Sequence, residues 1–266
     1  MLSELVEAIV LGVIQGLTEF LPVSSSGHLE LAKVMLGDDS VSEQSMLMTV
    51  SLHAATALST MFVFWKEIKT IFFGVFNKEG TEQRNYVLKI ILSMIPAVCI
   101  GLFFEDFIES LFSRNILLVG LMLLVTGGIL FIADKTKRTD RKVGFKDALL
   151  IGIAQAIAIL PGISRSGATI STSVILGIDR EASARFSFLM VIPLIFGKMA
   201  KDLLDGSFTA IESSSTPLIC GFIAAFITGI IACKLMIGIV KRSKLEYFSY
   251  YCFLVGTIAI AYHLFS

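Results

Sequence analysis

The chain has 266 residues, of which 55% are hydrophobic and only 17% are charged, and its mean hydropathy is +0.82. A soluble domain of this length cannot hide so much apolar surface in one core, so the composition predicts an integral membrane protein. The 22 basic residues are balanced by 22 acidic residues, so there is no basic excess of the kind that binds nucleic acid.

The first apolar segment, at about 4–36, is interrupted in the middle by Pro22 and a run of serines. A proline disrupts a continuing helix, and serine is a preferred N-cap for the helix that follows. We therefore predict a re-entrant hairpin of two short helices rather than a single span. Glu4 and Glu7 precede the apolar run without any Lys or Arg, so the segment lacks the basic start of a cleaved signal peptide.

Six further apolar stretches are long enough to cross the membrane, which takes roughly 20 residues per helix. They lie at about 47–65, 86–104, 115–133, 184–200, 217–240 and 247–265. A second interrupted segment, at about 147–177, is broken at Pro161 and predicts a second re-entrant hairpin. The predicted fold class is therefore an all-α integral membrane protein, with six transmembrane helices and two re-entrant helical hairpins in a single membrane domain, 1–266.

The charges of the loops predict how the chain is oriented, because Lys and Arg concentrate in cytoplasmic loops. The loop 134–146 is strongly basic, and the loops after the first and fifth spans are also basic. The loops 37–45, 105–114 and 202–216 are mainly acidic, with Arg114 as their only basic residue. We therefore place the acidic loops and both termini outside, and the two hairpins enter the membrane from opposite faces.

The two hairpins are also similar in sequence. Aligning LGVIQGLTEFLPVSSSGH with IGIAQAIAILPGISRSGA pairs residues that are 140 positions apart (155 − 15 = 140). Each repeat, about 1–133 and 147–266, contains one hairpin and three spans, and the basic loop joins them. Three crossings are an odd number, so the second repeat should be inverted relative to the first, as in many transporters. The hairpin tips should then meet near the midplane.

Each tip is predicted to be a helix N-terminus, where free N–H groups and the helix dipole attract anions. Two such termini that face each other suit a diphosphate. The phosphate-binding residues predicted from this pattern are Ser24, Ser26, Gly27, Ser164, Ser166 and Gly167. A Ser and Gly cluster in a membrane helix is also typical of a close-packing surface, and that alternative stays open.

Three ionisable residues, Glu19, His28 and Arg165, are predicted at membrane depth, where charges are costly and usually mark function. Arg165 can bind phosphate oxygens through two hydrogen bonds. Ser25 and His28 are three apart on one helix face, so they can act as nucleophile and general base or acid. The alternatives are a structural histidine and an arginine that only neutralises Glu19.

A divalent cation is also expected at this site. Gln15 and Glu19 are four apart on one helix face and could bind the cation through oxygen ligands, with phosphate completing the shell as it often does for magnesium. His53 has no comparable support, so we predict that it lies at most behind the site.

The segments QGLTEFLPVSSSGH at 15–28 and LPGISRSGAT at 160–169 resemble the two signature motifs of the undecaprenyl-diphosphate phosphatase family, also called bacitracin-resistance proteins. The resemblance implies hydrolysis of undecaprenyl diphosphate, which recycles the lipid carrier of peptidoglycan synthesis in the bacterial inner membrane. It also implies a Mg²⁺ or Ca²⁺ requirement and resistance to bacitracin, which competes by sequestering the lipid substrate. It leaves room for a homodimer.

The resemblance also assigns roles to particular residues. It places the acidic residue, serine and histidine of the first motif at Glu19, Ser25 and His28. The serine, arginine and threonine of the second motif are Ser164, Arg165 and Thr169, and Thr169 joins the phosphate-binding set.

Some relatives have a second glutamate where this chain has Gln15, so Glu19 would serve the metal largely alone. The nucleophile stays open between Ser25, His28 and water. A flippase for an anionic polyprenyl lipid is the alternative function, because inverted repeats with broken helices are typical of transporters. A flippase, however, would need no nucleophile.

Overall fold

A computed structural model describes residues 2–36, 42–111, 115–204, 215–242 and 244–265. All regular secondary structure in these ranges is helical. The helices are α1 (Leu2–Thr18), α2 (Ser25–Leu36), α3 (Ser42–Val63), α4 (Trp65–Phe76), α5 (Thr81–Phe103), α6 (Glu105–Leu111), α7 (Ile116–Lys135), α8 (Phe145–Ile157), α9 (Arg165–Ile175), α10 (Arg180–Leu204), α11 (Ser215–Lys241) and α12 (Glu246–Phe265).

Five of the described helices, α5, α7, α10, α11 and α12, are long and apolar enough to cross a membrane. The pair α3 and α4 passes the same criterion only when it is taken together, and it bends by 77° between Val63 and Trp65. The number of candidate spans is therefore five, or six if the bent pair is one crossing. This confirms that the protein is a multi-pass helical membrane protein.

Helix α4 lies where the sequence predicts a cytoplasmic loop. None of its residues is buried, and its exposed side chains include Trp65, Phe72, Phe73 and Phe76. The ammonium group of Lys69 lies 5.0 Å from the ring centroid of Trp65, a favourable cation–π contact. Aromatic and basic side chains on one short helix are typical of a helix at the membrane surface. The sequence predicted a loop here because the segment is too rich in charge to be a span.

Both interrupted apolar segments fold as two short helices with a break between them. The break in the first segment lies between Thr18 and Ser25, and the break in the second lies between Ile157 and Arg165. Ser24 has φ = 71° and Gly162 has φ = 95°, so each break contains a residue in the left-handed conformation. The prolines and small residues seen in the sequence thus lie where the helices stop.

Glycines allow two close helix contacts that involve aligned positions of the two segments. Helix α1 packs against α11, where Gly12 lies against the backbone carbonyl of Gly221. Helix α8 packs against α5, where Gly152 lies against the carbonyl of Ser93. A side chain at either glycine would collide with backbone, so these positions keep α1 and α8 close to their neighbours.

The predicted outer loops lie only partly within the described residues, which omit 37–41, 112–114 and 205–214, and the described part of 105–114 is the helix α6. Arg114 is among the omitted residues. The helices alone do not distinguish the two membrane faces, so the placement of both termini outside stays a prediction.

Candidate active site

The two helix breaks lie directly against each other. The hydroxyl of Ser166 donates a hydrogen bond of 3.2 Å to the carbonyl of Leu21 in the other break. A Cβ added to Gly27 would lie 3.2 Å from Cα of Gly162, and one added to Gly167 would lie 3.3 Å from Cβ of Pro22. The glycines therefore allow the start of each outgoing helix to approach the opposite break.

The outgoing helices α2 and α9 begin with the same serine cap. Ser24 Oγ accepts a hydrogen bond of 3.2 Å from the amide of Gly27, and Ser164 Oγ accepts one of 3.0 Å from the amide of Gly167. The cap hydroxyls also contact those of Ser26 and Ser166, at 3.4 Å and 3.2 Å. Because each cap holds a helix start at the contact between the breaks, two positive helix ends meet there.

Glu19 is at the centre of this region and is 7% exposed. Its Oε1 accepts a hydrogen bond from Nη2 of Arg165. Its Oε2 accepts hydrogen bonds from the Ser25 hydroxyl at 2.7 Å and from Nε2 of Gln15 at 3.0 Å. A buried carboxylate needs such partners, because an isolated buried charge is costly. Of the predicted catalytic residues, the structure therefore brings Glu19, Ser25 and Arg165 into direct contact.

Arg165 uses only part of its guanidinium to bind Glu19. Its Nη1 is buried and has no hydrogen-bond partner among the described residues. A buried donor without a partner is rare in proteins and calls for an explanation. Because a guanidinium can donate to two oxyanions at once, the ion pair with Glu19 and a contact with phosphate are compatible.

Thr169 contacts the backbone of Arg165 and the neighbouring helix α10. Its side chain is fully buried, and its hydroxyl donates to the carbonyl of Arg165 at 2.8 Å. The same hydroxyl lies 2.7 Å from the hydroxyl of Ser187 on α10. In this conformation Thr169 fixes the first turn of α9.

His28 contacts Tyr251, a residue that the sequence reasoning missed. Its Nδ1 lies 2.8 Å from the carbonyl of Ser24, and its Nε2 lies 2.8 Å from the Tyr251 hydroxyl. The two rings are stacked, with centroids 5.6 Å apart. Since a carbonyl can only accept, the proton of a neutral His28 lies on Nδ1 and Nε2 accepts from Tyr251. The hydrogen bonds of Ser25 and His28 thus go to Glu19 and Tyr251 rather than to each other.

His53, which the sequence placed at most behind the site, lies beside Glu19. Its Nε2 is 4.0 Å from Oε2 of Glu19, and its side chain is 31% exposed. Its Nδ1 is 2.8 Å from the carbonyl of Thr49, one turn earlier on α3. The only signal in the sequence was a histidine in an otherwise apolar segment, which is as typical of a structural residue as of a functional one.

The residues around Glu19 fit a cation that is held largely by phosphate. Within the described ranges, no three His, Cys, Asp or Glu side chains form a cluster that could hold a metal ion. Glu19 supplies one carboxylate, and Oε1 of Gln15 is a buried acceptor that lacks a partner among the described residues. One carboxylate, an amide oxygen and substrate phosphates are a donor set that suits Mg²⁺.

Comparison with known proteins agrees with the motif resemblance. Residues 8–258 match the sequence family described as "Bacitracin resistance protein BacA". The chain is 58% identical over 259 residues to an undecaprenyl-diphosphatase of Christiangramia forsetii. The aligned region covers 97% of this chain and 98% of the relative. It is 46% identical to an undecaprenyl-diphosphatase of Bacteroides fragilis, with 96% of each chain covered. For one of Methanococcus vannielii the identity is 41%, with 96% of this chain and 99% of the relative covered.

Proposed function

The chain belongs to the BacA family of bacitracin resistance proteins, and on that premise we propose that it hydrolyses undecaprenyl diphosphate to undecaprenyl phosphate and inorganic phosphate. The reaction would return the lipid carrier to peptidoglycan synthesis. Bacitracin would compete by sequestering the substrate. The flippase alternative is not favoured, because the relatives are named for diphosphatase activity.

The contact between Ser25 and Glu19 carries the proposal. The 2.7 Å hydrogen bond joins a hydroxyl nucleophile to a carboxylate that can accept its proton. The same carboxylate binds Arg165, whose Nη1 has no partner among the described residues. A nucleophile, a proton acceptor and an anion clamp are thus within one hydrogen-bonded group, and a flippase would need only the clamp.

The substrate phosphates would lie between the starts of α2 and α9. The backbone N–H groups there and Nη1 of Arg165 would bind phosphate oxygens. The apolar spans would accommodate the prenyl chain, which enters from the outer leaflet. Preorganised donors of this kind supply much of the catalysis in phosphoryl transfer.

In the proposed reaction, Ser25 Oγ attacks the terminal phosphorus, and its proton passes to Glu19. The bond from this phosphorus to the bridging oxygen breaks, and undecaprenyl phosphate leaves with the bond electrons. Water then attacks the phosphoserine, and inorganic phosphate is released as Ser25 regains a proton. His28 is the alternative proton acceptor if its ring turns away from Tyr251, and direct attack by water is the alternative to a phosphoserine.

We also propose that Mg²⁺ or Ca²⁺ takes part, held by Glu19, Gln15 and the substrate phosphates. Such a cation would offset the negative charge that phosphate oxygens carry during displacement. The residues of the chain would still orient the substrate and move the serine proton.

We further propose that the chain is an inverted repeat in the bacterial inner membrane, with two re-entrant hairpins and both termini outside. The aligned contacts of Gly12 with α11 and Gly152 with α5 support the repeat, because a pseudo-two-fold axis would relate them. Labelling of single cysteines at exposed loop positions with a membrane-impermeant reagent in intact cells would test the orientation.

The function is tested by measuring phosphate release from undecaprenyl diphosphate with the purified protein in detergent, with and without Mg²⁺ or Ca²⁺. Arg165→Ala should abolish release, whereas Arg242→Ala, which removes an exposed arginine at the end of α11, should not. If a folded wild-type protein binds the lipid but releases no phosphate with either cation, the flippase alternative would replace the proposal.

A further inference from the structure

His53 lies at the candidate site but has no part in the reaction proposed above. Its Nε2 faces Oε2 of Glu19 at 4.0 Å, which is too long for a hydrogen bond. The Glu19 side chain is 7% exposed, whereas that of His53 is 31% exposed. The imidazole is therefore partly exposed and lies near the central carboxylate of the site without a hydrogen bond to it.

The other ring nitrogen of His53 is already fixed. Nδ1 lies 2.8 Å from the carbonyl of Thr49, and a carbonyl can only accept a hydrogen bond. In the neutral ring the proton is therefore on Nδ1, and the lone pair is on Nε2, which lies 4.0 Å from Oε2 of Glu19. Histidines that bind metals show this arrangement, because their second nitrogen almost always donates to a carbonyl, carboxylate or water.

We infer that His53 is a nitrogen ligand of the divalent cation at Gln15 and Glu19. The inference rests on the cation of the proposed function. Two ligand bonds of about 2.0–2.2 Å each would span the gap between Nε2 and Oε2. Some relatives have a second glutamate at the position of Gln15. In this chain the imidazole of His53 would supply the ligand that this glutamate provides.

Gln15 supplies the third donor. Its Nε2 binds Oε2 of Glu19 at 3.0 Å, and its Oε1 is buried without a partner among the described residues. Half a turn of the amide exchanges the two atoms and places the oxygen beside Glu19. The cation would then satisfy the orphaned acceptor, while Arg165 keeps its contact with the other carboxylate oxygen, Oε1.

A mixed set of oxygen and nitrogen donors changes which cation is preferred. Mg²⁺ and Ca²⁺ take oxygen ligands almost exclusively. Imidazole suits first-row transition ions better than Mg²⁺ or Ca²⁺, and the affinities of such ions for a nitrogen and oxygen site rise from Mn²⁺ to Cu²⁺ and fall again at Zn²⁺. We therefore expect this protein to bind Mn²⁺ more tightly than Mg²⁺, and we expect the preference to depend on His53.

The test is electron spin echo envelope modulation of Mn²⁺ bound to the purified protein in detergent. A directly bound imidazole nitrogen gives a ¹⁴N modulation that oxygen ligands do not give. The wild type should show it, His53→Gln should lose it, and His263→Gln should keep it, because His263 lies near the exposed end of α12. His53→Gln should also lower the ratio of Mn²⁺ to Mg²⁺ affinity by about tenfold or more.

The inference is overturned if wild-type protein with bound Mn²⁺ shows no nitrogen modulation, or if the modulation persists in His53→Gln. Failure of Mn²⁺ to bind wild type more tightly than His53→Gln would also overturn it. These readouts need no turnover, so they separate a wrong ligand from a wrong reaction. A thermal unfolding curve for each variant shows that the lost signal does not come from unfolded protein.

Discussion

Arg165 donates a hydrogen bond to Glu19, which lies 146 residues earlier in the chain. Glu19 lies in the first helix break and Arg165 begins the helix after the second break, so their contact joins the two halves where both lose regular structure. Each charge neutralises the other, which makes both tolerable in an apolar surrounding. The structural ion pair and the phosphate clamp, which the sequence presented as alternatives, can thus be one arrangement.

Arg165→Lys should reduce phosphate release by about 10²-fold or more, although the positive charge is kept. A lysine ammonium is a point charge and cannot hold Glu19 and a phosphate oxygen in one rigid plane. Steady-state rates on undecaprenyl diphosphate would measure the effect, with Arg242→Lys as the control. Near-normal turnover in Arg165→Lys would rule out the clamp role.

Glu19→Gln should lower both activity and stability. Removing one partner of a buried ion pair leaves the other charge unpaired, at a cost of about 3–5 kcal/mol. The double variant Glu19→Gln with Arg165→Gln should recover much of the stability and none of the activity. Thermal unfolding in detergent, followed beside phosphate release, tests this. If the loss of stability in the double variant equals the sum of the losses in the two single variants, Glu19 and Arg165 do not stabilise each other.

Gly162→Ala should destabilise the second helix break. The residue has φ = 95°, and an added Cβ would lie 2.5 Å from the Val119 carbonyl oxygen and 2.8 Å from Cβ of Met122. The left-handed conformation alone costs about 1–2 kcal/mol for an alanine.

The matched control for this variant is Gly177→Ala. Gly177 has φ = 79°, and an added Cβ there would have no atom within 4 Å. Gly162→Ala should therefore lower the melting temperature more than Gly177→Ala. Equal decreases in melting temperature for the two variants would mean that Gly162 is not packed closely against α7.

Tyr251→Phe should leave the protein folded and, with Glu19 as the proton acceptor, should leave turnover close to that of the wild type. The substitution keeps the ring stacked on His28 and removes the hydroxyl that donates to Nε2. A lost hydrogen bond of about 1 kcal/mol corresponds to a several-fold change in rate if His28 takes part in the reaction. Tyr247→Phe, at an exposed position on the same helix, is the control and should leave kcat unchanged. A several-fold change of kcat in Tyr251→Phe would mean that His28 takes part in the reaction and would contradict Glu19 as the sole proton acceptor.

Local sequence patterns predicted the helix breaks, because proline, glycine and serine act on the few residues around them. Pro22 and Pro161 lie in the two breaks, and Ser24 and Ser164 cap the helices that follow. Long apolar stretches likewise predicted five membrane spans, and the sixth, at 47–65, meets the criterion only together with α4. These features depend on neighbouring residues, which a single sequence displays directly.

Contacts between distant segments were harder to predict. His53 and Tyr251 reach the site from α3 and α12, and neither belongs to the motifs at the two helix breaks. Their roles depend on which faces of two helices turn inward, and helical periodicity is weak in segments that are apolar all round. For the same reason the hydrogen bond of Ser25 to Glu19, rather than to His28, could not be chosen from spacing alone.

The most direct test of the account compares phosphate release from undecaprenyl diphosphate by wild-type protein and by Ser25→Ala, purified and assayed together with a divalent cation. Ser110→Ala, at an exposed position on α6, is the control. We expect Ser25→Ala to fold, to bind the lipid and to lose about 10³-fold or more of the wild-type rate, because no other group replaces the nucleophile. A Ser25→Ala protein that keeps more than about a tenth of the wild-type rate would contradict the proposed centre.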